Sequence, residues 1–94
     1  PILPVLSYSD LDDAVVRIND SEYGLAGSIW TRDPEKAMAI GMRMDTGTVW
    51  VNKFMDLVLD IPFGGAKQSG LGAELGMEGI DEYTQLKVVN AALA

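Results

Sequence analysis

The chain has 94 residues and a formal net charge of −7, and 48% of its residues are hydrophobic. This composition favours one modest folded domain over disorder, and the acidic balance argues against nucleic-acid binding, which needs a basic patch. Because the sequence contains neither Cys nor His, a disulfide scaffold, a Ser-His-Asp triad and a Cys-His pair are all excluded within it.

The first half of the sequence alternates between strand and helix patterns. Strands are predicted at residues 2–8, 24–30 and 48–51. The first intervening helix is predicted to begin at Ser9, with Asp12 completing a capping box. The second is predicted to begin at Asp33-Pro34 and to end near Gly47. Since helical crossovers imply parallel strands, the predicted fold class is α/β, beginning with a β-α-β-α-β parallel layer.

The second half is organised differently. Residues 52–76 are rich in glycine and apolar side chains but lack clear periodicity, and ordered loops of this length are usually functional. A short helix is predicted at residues 77–84 and a last strand at residues 86–91. Because that strand has no obvious partner in the sequence, we expect it to pair with another chain.

The Gly-rich stretch contains two candidate functional features. Pro62-Phe63-Gly64-Gly65 is either an ordinary tight turn or a turn that presents Phe63 to a pocket. Glu74 is a carboxylate in an apolar, Gly-rich neighbourhood, which would suit it to proton transfer if it were buried. The alternative for Glu74 is an acid at a helix start or an ion-pair partner of Lys67. The glycine spacing matches neither a dinucleotide-binding nor a P-loop motif.

Several motifs in order resemble the C-terminal region of the aldehyde dehydrogenase superfamily. They are Glu22-Tyr-Gly-Leu-Ala-Gly-Ser-Ile-Trp-Thr-Arg-Asp33, Gly47-Thr-Val-Trp-Val-Asn52, Pro62-Phe-Gly-Gly-Ala-Lys-Gln-Ser-Gly-Leu-Gly72, Glu74-Leu-Gly76 and Glu82-Tyr-Thr-Gln-Leu-Lys87. The resemblance implies NAD(P)-dependent oxidation of an aldehyde to a carboxylic acid through a catalytic Cys. It also implies that this Cys, a water-activating Glu, an oxyanion Asn and the cofactor domain lie upstream. We therefore expect residues 1–94 to be a single partial domain that is inactive alone and binds no NAD or NADP by itself.

The resemblance also implies roles for individual residues. Phe63 matches an aromatic residue that lines the substrate tunnel, and residues 53–61 match the variable loop that shapes it. Glu74 matches an acid of a proton relay in some members. The expected substrate-binding residues are Phe54, Asp60, Ile61 and Phe63. Lys67 and Gly70 match positions whose backbone carbonyls bind potassium in some members, and Asn52 matches a structural Asn near the site.

Subunit contacts and compartment follow from the same resemblance and from the composition. Residues 86–94 resemble an oligomerisation strand, so the expected partners are the missing N-terminal part of the chain and further copies of the same protein. Ala73 stands where many members have an Arg, and Gln85 where some have an interface Glu, so this interface departs from the common pattern. The first residues lack the basic region of a signal peptide and no apolar run reaches the ~20 residues of a membrane span. We expect a cytoplasmic protein with no membrane partner. The alternative is a freestanding α/β protein-interaction module without catalysis.

Overall fold

The computed structural model describes residues 1–93. Its elements are α1 (Leu11–Asn19), β1 (Tyr23–Gly24), β2 (Ala26–Ile29), α2 (Pro34–Gly41), β3 (Thr48–Val51), β4 (Ala66–Lys67) and α3 (Gly76–Asp81). β2 and β3 pair in parallel, with Ala26 opposite Thr48. β1 and β4 pair antiparallel. The α/β class and the parallel β2-α2-β3 unit are confirmed, but the predicted three-stranded parallel layer is not observed.

Both helices of the first half begin where a side chain caps them, although one cap differs from the prediction. At α2, the carboxylate of Asp33 accepts a hydrogen bond from the backbone N–H of Lys36, as expected. At α1, the capping residue is Asp10 rather than Ser9. Its Oδ2 accepts from the backbone N–H of Asp13 at 2.9 Å, and its extended backbone lets the carboxylate reach back over the first turn.

The predicted strand at residues 24–30 is split into two strands at Leu25. Before the break, Gly24 pairs with β4, and after it β2 pairs with β3. Two backbone bonds mark the change of partner, since Gly47 N–H donates to Gly24 O at 3.0 Å and Thr48 N–H donates to Leu25 O at 3.3 Å. The split brings the Gly-rich second half of the chain against the first half.

Gly47 does not end α2, which stops at Gly41. Gly47 instead lets two backbone segments lie close together, because a Cβ atom at this position would overlap the carbonyl oxygen of Gly64. Only a glycine lets the backbone before β3 lie directly against the Gly-rich loop.

The strands predicted at both ends of the chain do not form. Residues 2–8 and 86–91 have no regular structure and are largely exposed. A strand requires a neighbour to satisfy its backbone groups, and no strand of residues 1–93 pairs with either segment. Ala94, the last residue of the predicted oligomerisation strand, lies outside the described residues.

The described residues bury few apolar side chains among themselves. The buried ones are Val15, Ala37 and Trp50, from α1, α2 and β3. No helix within residues 1–93 is long and apolar enough to cross a membrane. With so little burial inside one chain, much apolar surface remains for contact with other protein.

Candidate functional site

Trp50 lies at the centre of an aromatic cluster. It is 5% exposed, and its ring stacks on Phe63 with centroids 6.2 Å apart. The ring of Phe54 meets it edge-on at 5.9 Å. The indole N–H of Trp50 donates to the carbonyl oxygen of Asp56 at 3.2 Å. The structure therefore brings together two of the predicted substrate-binding residues, Phe54 and Phe63, on one buried tryptophan.

The loop at residues 53–61 begins at a firmly held position. Asn52 adopts a left-handed backbone with a φ of 55°, which Asn tolerates better than most residues. Its side chain bonds both backbone groups of Thr31: Oδ1 accepts from the N–H at 2.8 Å, and Nδ2 donates to the carbonyl oxygen at 2.8 Å. The hydroxyl of Ser28 donates to Lys53 O at 3.0 Å. Asn52 thus fastens the start of the loop to the end of β2, in keeping with its expected structural role.

The rest of this loop curves back toward α3. Lys53 and Asp56 form an ion pair, and the N–H of Ile61 donates to Val58 O at 3.3 Å. Asp60 and Ile61 lie in this exposed turn. Of the predicted substrate residues, Phe54 and Phe63 form the aromatic pair on Trp50, and the other two belong to the turn.

Phe63 and Glu74 are directly linked through their backbones. The N–H of Phe63 donates to Glu74 O at 2.7 Å, and the N–H of Glu74 donates to Phe63 O at 2.8 Å. This antiparallel bridge closes the Gly-rich segment into a hairpin spanning residues 63–74. The hairpin lines a cavity of about 630 Å³ together with residues near α3. The side chain of Glu74 is exposed rather than buried in this chain.

Lys67 does not pair with Glu74, so the predicted alternative of an ion pair between these two residues is wrong. Its ammonium group reaches the other way, donating to the carbonyl oxygens of Asn19 at 2.7 Å and Ser21 at 3.1 Å. It also lies 3.7 Å from the carboxylate of Asp45. These oxygens lie at the C-terminal end of α1 and in the turn before β3, where a cation is favoured by the exposed helix carbonyls. Lys67 therefore ties the hairpin to the first half of the chain.

The proposed cation ligands lie around the tip of this hairpin. Ser69 N–H donates to Ala66 O at 3.2 Å to close a turn. Lys67 lies within this turn and has a φ of 55°, and Gly70 follows the turn with a φ of 147°. The potassium site remains a prediction. Within residues 1–93, no group of three Asp, Glu, His or Cys side chains is placed to hold a metal ion.

Three of these contacts were not expected from the sequence. Ser28 and Thr31, which lie within the first motif, and Asp45 all contact the Gly-rich half, and no feature of the sequence predicted these contacts. The bond from the buried Trp50 to Asp56 had no signal in the sequence.

Comparison with known proteins identifies a family. The model of the aldehyde dehydrogenase family matches residues 1–89. Aldehyde dehydrogenase 1A1 of Mesocricetus auratus is 45% identical over 89 residues, covering 95% of this chain and 18% of the relative. Geranial dehydrogenase of Castellaniella defragrans is 48% identical with the same coverage. The chain thus spans about a fifth of the length of these relatives.

Solved structures show the same similarity in three dimensions. NAD-dependent aldehyde dehydrogenase from Sinorhizobium meliloti superposes with a TM-score of 0.82 at 41% identity, covering 87% of this chain and 16% of that one. The Mycobacterium tuberculosis aldehyde dehydrogenase complexed with NAD+ superposes with a TM-score of 0.79 at 45% identity, covering 83% and 16%. The local fold described above is therefore that of a segment within larger enzymes.

Proposed function

Because this chain belongs to the aldehyde dehydrogenase family, we propose that it is the C-terminal part of the catalytic domain of an NAD(P)-dependent aldehyde dehydrogenase. In this role it supplies a wall of the substrate tunnel and contacts between subunits. The observation that carries the proposal is the aromatic cluster, in which Phe54 and Phe63 meet on the buried ring of Trp50. Aromatic side chains held in this way form a rigid apolar surface suited to an apolar aldehyde.

The chemistry itself requires residues from elsewhere. The sequence has no Cys, so the thiol that attacks the aldehyde must come from the rest of the protein. NAD or NADP would accept the hydride, and in this proposal its binding site also lies outside these residues. NAD+ is present in the M. tuberculosis relative. Glu74 would act as a proton relay, and the carbonyls of Lys67 and Gly70 would hold a potassium ion.

The exposed end segments support a role in assembly. Val88, Val89 and Leu93 are each at least 78% exposed, and extended exposed apolar surface of this kind marks sites of contact with other protein. We propose that residues 86–94 pair with a neighbouring copy of the same protein, and that residues 2–8 pair with the N-terminal part of their own chain. The cytoplasm, a reducing compartment, is the proposed location.

Activity measurements test the proposal directly. We would assay NAD(P)-dependent oxidation of a panel of aldehydes with the full-length protein, meaning the complete product of the gene that encodes these residues, and with the 94-residue chain alone. We expect activity in the full-length protein and none in the 94-residue chain. Activity in the Cys-free chain would contradict the thiol route, and a full-length protein without activity would contradict the proposed function.

A matched pair of variants tests the tunnel wall. In the full-length protein, Phe63→Leu should change kcat/KM for apolar aldehydes by about 10-fold or more, since small changes of volume in an apolar pocket have effects of that order. Val16→Ala removes apolar volume from an exposed position on α1 and should leave kcat/KM unchanged. Equal effects of the two substitutions would argue against a tunnel wall at Phe63.

A second function fits the exposed apolar segments: a freestanding α/β module that binds another protein through these segments. The length of the open reading frame that encodes this chain distinguishes the enzyme from the protein-binding module. The 89 matched residues are 18% of the M. auratus relative, which corresponds to about 490 residues. A frame extending roughly 400 residues upstream supports the enzyme, and a start codon directly before the codon of Pro1 supports the module.

A further inference from the structure

Trp50 makes contact with three separate parts of the proposed tunnel wall. Its ring touches Phe54 near the start of the variable loop and Phe63 just after its end. Its indole N–H holds the backbone of Asp56 within the loop. The loop has no helix or strand of its own, so its shape depends on such contacts.

We infer that Trp50 is a positioning residue that determines which sizes of aldehyde the site accepts. This inference rests on the proposed function and goes beyond it, because Trp50 is buried and acts through Phe54 and Phe63. Because Trp50 fixes the positions of the Phe54 and Phe63 rings, it also fixes the distance between these two rings along the tunnel wall. A shorter ring at position 50 would let both rings move inward.

Packing alone does not account for this arrangement. A purely apolar side chain could pack against Phe54 and Phe63, but it could not donate to the carbonyl oxygen of Asp56. A buried Trp N–H normally finds an acceptor, and here the acceptor belongs to the variable loop. The paired strand adds a second bond, since Ser28, opposite Trp50 in the parallel register, donates to Lys53 O. Trp50 of β3 and its paired residue Ser28 of β2 therefore each donate one hydrogen bond to the variable loop.

The test is Trp50→Phe in the full-length protein, with Trp30→Phe as the matched control. Trp30 is 69% exposed and belongs to neither the loop nor the aromatic cluster. We expect Trp50→Phe to lower kcat/KM for long or branched apolar aldehydes by about 10-fold, mainly through a higher KM. For two- and three-carbon aldehydes the change should stay below about 2-fold, and Trp30→Phe should match the wild type throughout.

A second variant protects the test against a loss of folding. Phe54→Leu leaves Trp50 in place and changes the proposed wall directly, so it shows the dependence on aldehyde size that an altered wall produces, and Trp50→Phe should match that dependence. A uniform loss for all aldehydes in both variants would mean that Trp50 is merely structural and would overturn the inference. Unchanged size preference in both would overturn it as well. An inactive wild-type protein would instead overturn the proposed function on which the inference rests.

Discussion

Removal of the Asn52 side chain should loosen the junction between β2 and the variable loop by a predictable amount. Asn52→Ala deletes both hydrogen bonds to Thr31. Each bond contributes about 0.5–1.5 kcal/mol, and because Asn52 is exposed we take the lower value, or about 1 kcal/mol for the pair. Ala also adopts the left-handed backbone less readily than Asn, which costs about 1 kcal/mol more. The expected total is about 2 kcal/mol.

The comparison with Asn52→Gly separates the two contributions. Gly loses the same hydrogen bonds but adopts the φ of 55° without steric cost, so we expect a loss of about 1 kcal/mol. Hydrogen–deuterium exchange of peptides that contain Thr31 measures the local opening. Since 1.4 kcal/mol corresponds to a factor of ten, exchange at Thr31 should rise about 30-fold in the Ala variant and about 5-fold in the Gly variant.

Two results would refute this reasoning. Unchanged exchange at Thr31 in the Ala variant would mean that the side-chain bonds do not hold the junction. Equal exchange in the Ala and Gly variants would mean that the left-handed backbone at position 52 carries no cost. Peptides from α1, which forms no hydrogen bond with Thr31 or Asn52 within the described residues, serve as an internal reference and should exchange as in the wild type.

Three other features of the chain, namely the contacts of Lys67, the cap of α1 and the exposed end segments, can also be tested. Lys67→Met removes the bond to α1 and the ion pair with Asp45. The expected loss of about 1.5 kcal/mol of local stability should raise amide exchange at the end of α1 by about 10-fold. Lys36→Met, at an exposed lysine, is the control and should have no effect there. Asp10→Ala removes the cap of α1 and should destabilise it by about 1 kcal/mol, measured as faster exchange in its first turn, while Asp10→Asn should retain most protection. The isolated 94-residue chain should self-associate through its unpaired end segments, so a purely monomeric sedimentation profile at high concentration would contradict the proposed strand pairing.

The parts of the fold that were predictable from sequence depend on nearby residues. The apolar spacing of α1 and the Asp33-Pro34 start of α2 act within one turn of helix. The parallel pairing of β2 and β3 follows from the helix between them. Residues 2–8 were predicted as a strand from their composition, but strand formation requires a partner, and the described chain provides none.

The site was predictable in its residues more than in its contacts. Phe63 and Phe54 were singled out by resemblance, yet their meeting on Trp50 depends on the path of an aperiodic loop that no local pattern specifies. Lys67 was considered as a partner for Glu74, seven residues along the chain. It instead reaches Asn19 and Asp45, far away in sequence, because the hairpin folds back onto α1.

The β2-α2-β3 unit also bears on the order in which the chain folds. Its paired residues, such as Ala26 and Thr48, are 22 positions apart, and α2 occupies much of the interval. The entropy lost in closing so short a loop is modest, and rapid helix formation shortens the distance to be closed. This unit should therefore be an early folding nucleus, with the end segments becoming ordered only when the surfaces that cover them arrive.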